Sequence, residues 1–376
     1  MTLATIQRID KLTPIHDADF IETAYVLGWT VVVKKGEFKE GDLCIYIEID
    51  SIIPRKEWSE FLFKGENETK YRLRTIKLKK QLSQGLVLPI SVIFTDIIPD
   101  LTLKDKNPAY MGEDVSDILE IKHYEKPIND NPRSGMQAKA NFPSFLRKTD
   151  EVRIQSAPEL LEQLRGRPYY ITQKLDGTSA TYYKHKGKFG VCSRNLELKD
   201  PTKSASTRLN LLWDKILGFF GLGRFKNTYN PRGFSLNVYW QMAYKYNIME
   251  WLPDGFAIQG EICGPSIQGN KLGLKENELF VFNYFDIDRQ SYSYTAGSCR
   301  ALGMYRQEDW WTERVGVVPI IDYGDTFKYT LEKLLELAEK GVYPNGTPQE
   351  GIIVRSPDQT ISFKVVSNKF LLKYNE

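Results

Sequence analysis

Lys174 opens the string Lys174-Leu175-Asp176-Gly177, which sets an amine just before an acid and a turn-forming glycine. A lysine amine becomes a nucleophile only after losing its proton. Its ordinary pKa near ~10.4 therefore requires surroundings that disfavour the ammonium form. Arg153 and Lys364 are candidate sources of the positive charge that would do this. Asp176, Glu261 and Glu350 supply three carboxylates whose common duty would be to hold Mg²⁺ or Mn²⁺, directly or through its water shell. A cation held there would lower the lysine pKa further. The histidines His16, His123 and His185 lie outside these stretches, so nothing points to a general-base triad.

By itself the Lys-x-Asp-Gly string is weak, because composition alone yields it in roughly one chain in ten of this length. Its weight comes from an ordered series of further strings downstream. Ser193-Arg194-Asn195 is succeeded by Gln259-Gly260-Glu261-Ile262-Cys263-Gly264 and by Phe280-Val281-Phe282-Asn283-Tyr284-Phe285-Asp286-Ile287. Glu350-Gly351-Ile352-Ile353-Val354-Arg355 and Ser362-Phe363-Lys364-Val365-Val366 complete the series. This ordered set resembles the nucleotidyltransferase motifs of the covalent superfamily that contains ATP-dependent DNA ligases, RNA ligases and mRNA capping enzymes. Within it, Phe142-Pro143, the run Lys148 to Gln155, the run Gly264 to Lys271 and Ser367-Asn368-Lys369-Phe370 are similar to RNA ligases. A barrel-like module placed before the catalytic part is similar to the RNA ligase branch found in Deinococcus and Naegleria. The resemblance covers nearly the whole chain except residues 199–233.

The resemblance implies an ATP-dependent RNA ligase that joins 3′-hydroxyl and 5′-phosphate ends through a lysyl-N-AMP intermediate and an adenylylated 5′ end. Lys174 would be the nucleophile. Arg153, Thr172, Gln173, Asp176, Gly177, Arg194, Glu261, Phe282, Glu350 and Lys364 would bind ATP or AMP, with Phe282 stacked on adenine and Glu261 also on the ribose. Asp176, Glu261 and Glu350 would hold the metal, largely through water. One position departs from the family. Val366 stands where RNA ligases commonly carry the second lysine of a Lys-x-Lys pair, and Lys369 or another basic residue is the candidate substitute.

These residues need elements to carry them. Tyr170-Ile171-Thr172-Gln173 reads as a strand ending on Lys174, and helical patterns such as Ala157 to Leu164 alternate with strands such as Tyr169 to Gln173 and Gly187 to Ser193. That mixture predicts an α+β domain over residues 150–376, and the resemblance implies that it is an adenylyltransferase domain of ATP-grasp-like ligase type, built of antiparallel sheets and helices. Residues 199–233 read as an insertion carrying an amphipathic helix. Residues 1–100 read as a compact β-barrel, because short apolar runs such as Ala24 to Val33 and Leu43 to Ile49 are broken by turn residues, and the resemblance implies that it is of OB type. Its basic segment, Arg72, Arg74 and Lys77 between apolar partners, together with Lys369, is the expected RNA-binding surface. Residues 101–149, polar and proline-containing, read as a linker.

At 376 residues with 41% hydrophobic content the chain can fill two domains, and a formal charge of +3 does not by itself announce a nucleic-acid binder. No apolar run approaches a membrane span or a leader, so an intracellular, cytoplasmic location is expected, with a viral or phage source left open; the resemblance implies RNA as partner, and a monomer is expected. Cys44, Cys192, Cys263 and Cys299 show no paired zinc or redox spacing and read as buried or incidental thiols. The substrate, whether nicked duplex, RNA/DNA hybrid or free strands, is open. So are the alternatives of a DNA ligase, a GTP-using capping-type enzyme, and a non-catalytic OB-type nucleic-acid-binding protein.

Overall fold

The computed structural model describes residues 2–94, 110–124, 138–200, 237–265, 267–293 and 314–374. The front unit is organised by one strand, Leu43–Ile47, which is buried along its whole length. Alternation sends its side chains to opposite faces. Leu43, Ile45 and Ile47 join one apolar cluster with Leu3, Ile53 and Leu88, while Cys44 and Tyr46 join another with Trp29, Val31 and Val33. Ala4–Arg8 and Leu86–Pro89 pair antiparallel on its two edges. A second sheet comprises Lys11–Pro14, Ile21–Val26 and Trp29–Lys34, whose alternating burial gives it one inner face.

Two antiparallel-dominated sheets build the catalytic unit. In the larger, Thr178–His185 lies between Lys188–Cys192 and Phe256–Cys263, and Glu278–Asp286 follows on the far side of the latter. The smaller sheet runs Val152–Arg153, Ser362–Val366, Gly351–Arg355, Tyr169–Lys174, Ile320–Gly324. Helix Val238–Lys245 buries Tyr239, Trp240 and Met242 against the larger sheet, its start capped by the Asn237 side chain accepting the Trp240 N–H. Helix Leu331–Lys340 buries Leu334 and Ala338 against the smaller one. The expected α+β class is what the chain adopts. The helix expected over Ala157 to Leu164 forms over Glu159–Leu164, and the strand expected over Gly187 to Ser193 forms over Lys188–Cys192.

The segment 101–149 contributes to both units. Val115, Leu119 and Ile121 enter a front-unit cluster and Lys122–His123 pairs with Ser51–Pro54, whereas Ala138–Asn141 pairs with Leu196–Leu198 at the edge of the larger catalytic sheet. Apart from Lys199 and Asp200, the expected insertion at 199–233 lies outside the described residues. Cys44, Cys192 and Cys263 are free and buried, and Cys299 lies outside the described residues. No helix among the described residues is long and apolar enough to cross a membrane.

Candidate active site

Lys174 ends an interior strand of the smaller sheet, paired with Gly351, and the chain then turns through Asp176 and Gly177 into the larger sheet. Its Nζ lies 2.5 Å from Glu350 Oε1. The turn is pinned from behind by one buried hydroxyl. Tyr343 Oη accepts the backbone N–H groups of Asp176 (3.1 Å) and Glu350 (3.0 Å) and donates to the Lys174 carbonyl (3.0 Å). Gly177 is demanded by packing. A Cβ there would sit 2.3 Å from the Ile262 carbonyl oxygen and 2.8 Å from Glu261 Cγ, so the strand Phe256–Cys263 can bring Glu261 alongside Lys174 only past a bare backbone.

The charges oppose one another. Burial favours the neutral amine of Lys174, but Glu350, Glu261 and Asp176 outweigh it and hold the lysine pKa above its ordinary value. Glu261 shows the complement of this crowding. Burial, with further contributions from Glu350 and Asp176 and partial relief from Lys174, pushes its pKa up to about 8. The cations Arg153 and Lys364, expected to depress Lys174, are neighbours across the parallel pairing of Val152–Arg153 with Ser362–Val366. There the depressed group is Lys364, down to about 8 through burial, Arg153 and Lys174. In the ligand-free protein the carboxylates prevail at Lys174, and the expected depression falls on Lys364.

Glu261 also ties stability to pH. Its proton is retained in the folded protein up to about pH 8 but leaves the unfolded chain near the ordinary value of 4.5. Between those values the folded state binds more protons, so the group's contribution to stability falls as pH rises. Glu261→Gln is therefore expected to raise the metal-free melting temperature at about pH 8 by roughly 3–6 °C and to change it little near pH 5. Thermal melts at the two pH values check this; co-melting with wild type at both would remove Glu261 as the destabilising group.

Asp176 is 6% exposed and pairs with Lys271 at 2.8 Å, and the Lys271 ammonium lies 4.5 Å and 4.3 Å from the ring centroids of Phe370 and Tyr374 in the last helix. Arg194 is exposed and pairs with Asp150 at 2.7 Å. Phe282 is half-buried on Glu278–Asp286, with the Arg355 guanidinium 5.6 Å from its ring centroid. Thr172 shares the Lys174 face of its strand, its hydroxyl 3.5 Å from Arg355. Gln173 points the other way, donating to Gln349 (2.8 Å) and to the Val342 carbonyl (3.2 Å), so its side chain is not brought to the cluster. Lys271, Tyr343 and Arg355 are site residues that the motifs alone gave no role. Lys271 and Arg355 stand inside motif strings, whereas Tyr343 carries no signal in the chain.

The front unit enters the site through Asp50. Its two carboxylate oxygens accept from Arg72 (2.7 Å) and Arg153 (2.8 Å), and these two arginines outweigh the effect of burial to hold the Asp50 carboxyl below its usual range. Arg72 also lies 3.7 Å from the Tyr124 ring centroid. It is thus engaged inward, and Arg72, Arg74 and Lys77 do not form one exposed row. Val366 is explained by the same contact. It is 5% exposed and belongs to the Trp29 and Tyr46 cluster, so the position of the missing lysine is used to dock the two units through apolar packing.

The profile of the RNA ligase family matches residues 167–375, and that of an OB-fold domain matches residues 3–90. No curated protein sequence matches the chain. Among solved structures, Naegleria gruberi RNA ligase with PPi is 32% identical with a TM-score of 0.78, covering 100% of this chain and 99% of its own. A lysine-to-alanine variant of that enzyme with ATP and Mn is 31% identical with a TM-score of 0.77, covering 100% and 98%. A lysine-to-methionine variant with AMP and Mn is 32% identical with a TM-score of 0.76, covering 98% of each chain. A lysine set among three carboxylates between two sheets, behind an OB-fold unit, and a likeness to one enzyme along the whole length place this chain in the RNA ligase family.

Proposed function

We propose that this protein is an ATP-dependent RNA ligase that seals 3′-hydroxyl to 5′-phosphate ends through AMP carried on Lys174. The observation that carries the reading is the Lys174 amine, 2.5 Å from Glu350 and flanked by Glu261 and Asp176, on a chain 32% identical over its length to Naegleria gruberi RNA ligase. Lys174 Nζ attacks the α-phosphate of ATP and pyrophosphate leaves; a 5′-phosphate takes the AMP; a 3′-hydroxyl displaces AMP and closes the strand. Glu350, at hydrogen-bond distance, is placed to accept the lysine proton. Arg153 and Lys364 would offset the phosphate charge in this reading. Phe282 offers its ring to adenine, and Arg194, released from Asp150, would meet the ribose or the incoming end.

The donor set fits a divalent cation. Burial lifts the Glu261 pKa to about 8, and the negative charge of Glu350 and Asp176 adds to it, a surplus of the kind a hard cation relieves. No three metal-ligating side chains converge on one point among the described residues; in this reading Asp176, Glu261 and Glu350 would hold the ion through its water shell. When bound, Mg²⁺ or Mn²⁺ supplies positive charge that favours the neutral lysine amine and offsets phosphate charge. Arg74, Lys77 and Lys369 are the RNA contacts of this reading; Lys77 and Lys369 are exposed and Arg74 half-buried.

Incubation with labelled ATP or GTP, followed by sealing of nicked RNA, RNA/DNA hybrid and single-stranded substrates, tests the assignment. Preferential labelling by ATP and sealing of RNA ends are expected. Preferential labelling by GTP would exclude a ligase.

A further inference from the structure

Ile76–Leu78 and Gln81–Ser83 form a two-stranded ribbon closed by Lys79 and Lys80 alone. Both turn residues have positive φ, 48° and 67°. Two-residue hairpins take this conformation most readily with Asn-Gly or Asp-Gly, because the Cβ of a left-handed residue crowds its own carbonyl. Two adjacent lysines are thus a poor choice for the turn itself. Packing does not compensate, since Ile76, Lys77, Leu78, Lys79 and Lys80 are all exposed. Among the described residues, no acid pairs with Lys77, Lys79 or Lys80.

The base of the ribbon is fixed. Ser83 Oγ accepts the Val32 N–H at 3.0 Å, and the Gln84 N–H donates to the Thr30 carbonyl at 2.8 Å. Gln84 Nε2 donates to Asn368 Oδ1 at 3.0 Å, at the start of the last helix, which directly follows the strand bearing Lys364. A strained, charged tip therefore projects from an anchored base beside the catalytic unit.

We propose that this ribbon is a docking surface for the RNA phosphate backbone, with Lys79 and Lys80 as its leading contacts; the inference rests on the RNA-ligase reading. Three unpaired ammonium groups within four residues match a polyanion. Lysine also meets phosphate as a point charge, without reading sequence. Ile76 and Leu78, 37% and 40% exposed, can lie against sugar and base faces of the same strand. The turn retains a strained conformation because it places charge where the substrate backbone passes.

The double variant Lys79→Asn/Lys80→Gly separates this role from a structural one, because it gives the turn its preferred residues while deleting two charges. In the full-length protein, binding of a nicked RNA duplex is read by fluorescence anisotropy across a salt series. Adduct formation with ATP and thermal melting are read alongside. We expect a melting temperature equal to or above wild type, unchanged adduct formation, about 5–30-fold weaker RNA binding, and a salt slope smaller by about 2. Lys79→Arg/Lys80→Arg, which keeps charge and backbone strain, is expected to bind within about 2-fold of wild type. Unchanged affinity and salt slope in the Asn-Gly variant, or equal loss in the Arg-Arg variant, would overturn the proposal. Failure of wild type to form an AMP adduct would overturn the ligase reading instead, and the binding measurement still decides the ribbon.

Discussion

Lys174→Ala is expected to form no AMP adduct and to seal 5′-phosphate RNA at least on the order of 10³-fold more slowly than wild type, while still sealing an RNA whose 5′ end is already adenylylated. The two halves of the result separate roles. The first transfer needs an amine at the end of Tyr169–Lys174, and no other described group replaces it. The other lysine on the strands of the smaller sheet, Lys364, is carried by a strand two positions away in the sheet order. Under the proposed mechanism the final transfer would rely on Arg153, Lys364 and the proposed nucleotide site, which the alanine leaves in place. Its loss too would indicate collapse of the turn that Tyr343 pins, and a melt of the variant would reveal that. Full sealing of 5′-phosphate ends would remove Lys174 from the mechanism.

Chelation of divalent cations, or Glu350→Ala, is expected to cut adduct formation by about 10²-fold or more. Glu350 also sets the pH dependence. Glu350, Glu261 and Asp176 hold the Lys174 pKa above its ordinary value, so in wild type the reactive amine becomes more abundant as pH rises. Glu350→Gln removes a carboxylate that favours the ammonium, so its rate, although lower throughout, is expected to begin rising at a lower pH than wild type. Single-turnover adduct formation at fixed metal across a pH series measures both. A variant whose profile overlays wild type after scaling would show that Glu350 does not govern the lysine proton.

What the sequence disclosed was what repeats locally. The strand ending on Lys174 was legible because apolar residues run up to a Lys-x-Asp-Gly turn, and the order of the motifs identified Glu261, Glu350 and Lys364 as partners. Contacts between distant segments were not legible. Asp50 meets Arg153 across 103 residues and Tyr343 meets Lys174 across 169, and neither spacing leaves a pattern in the chain. Direction of charge was likewise hidden. Counting cations predicts a depressed Lys174, whereas the geometry puts three acids closer and transfers the depression to Lys364. The departure at Val366 was visible as a missing lysine. Its reason, burial with Trp29 and Tyr46 at the junction of the units, became visible only in three dimensions.

The most direct test is peptide mass mapping of wild-type protein after incubation with ATP and Mn²⁺. One AMP on the peptide bearing Lys174, stable to alkali but labile to acid, and lost when the intact protein is treated with pyrophosphate before digestion, is the predicted result. Absence of AMP, or its attachment to any other residue, would contradict a ligase that works through Lys174.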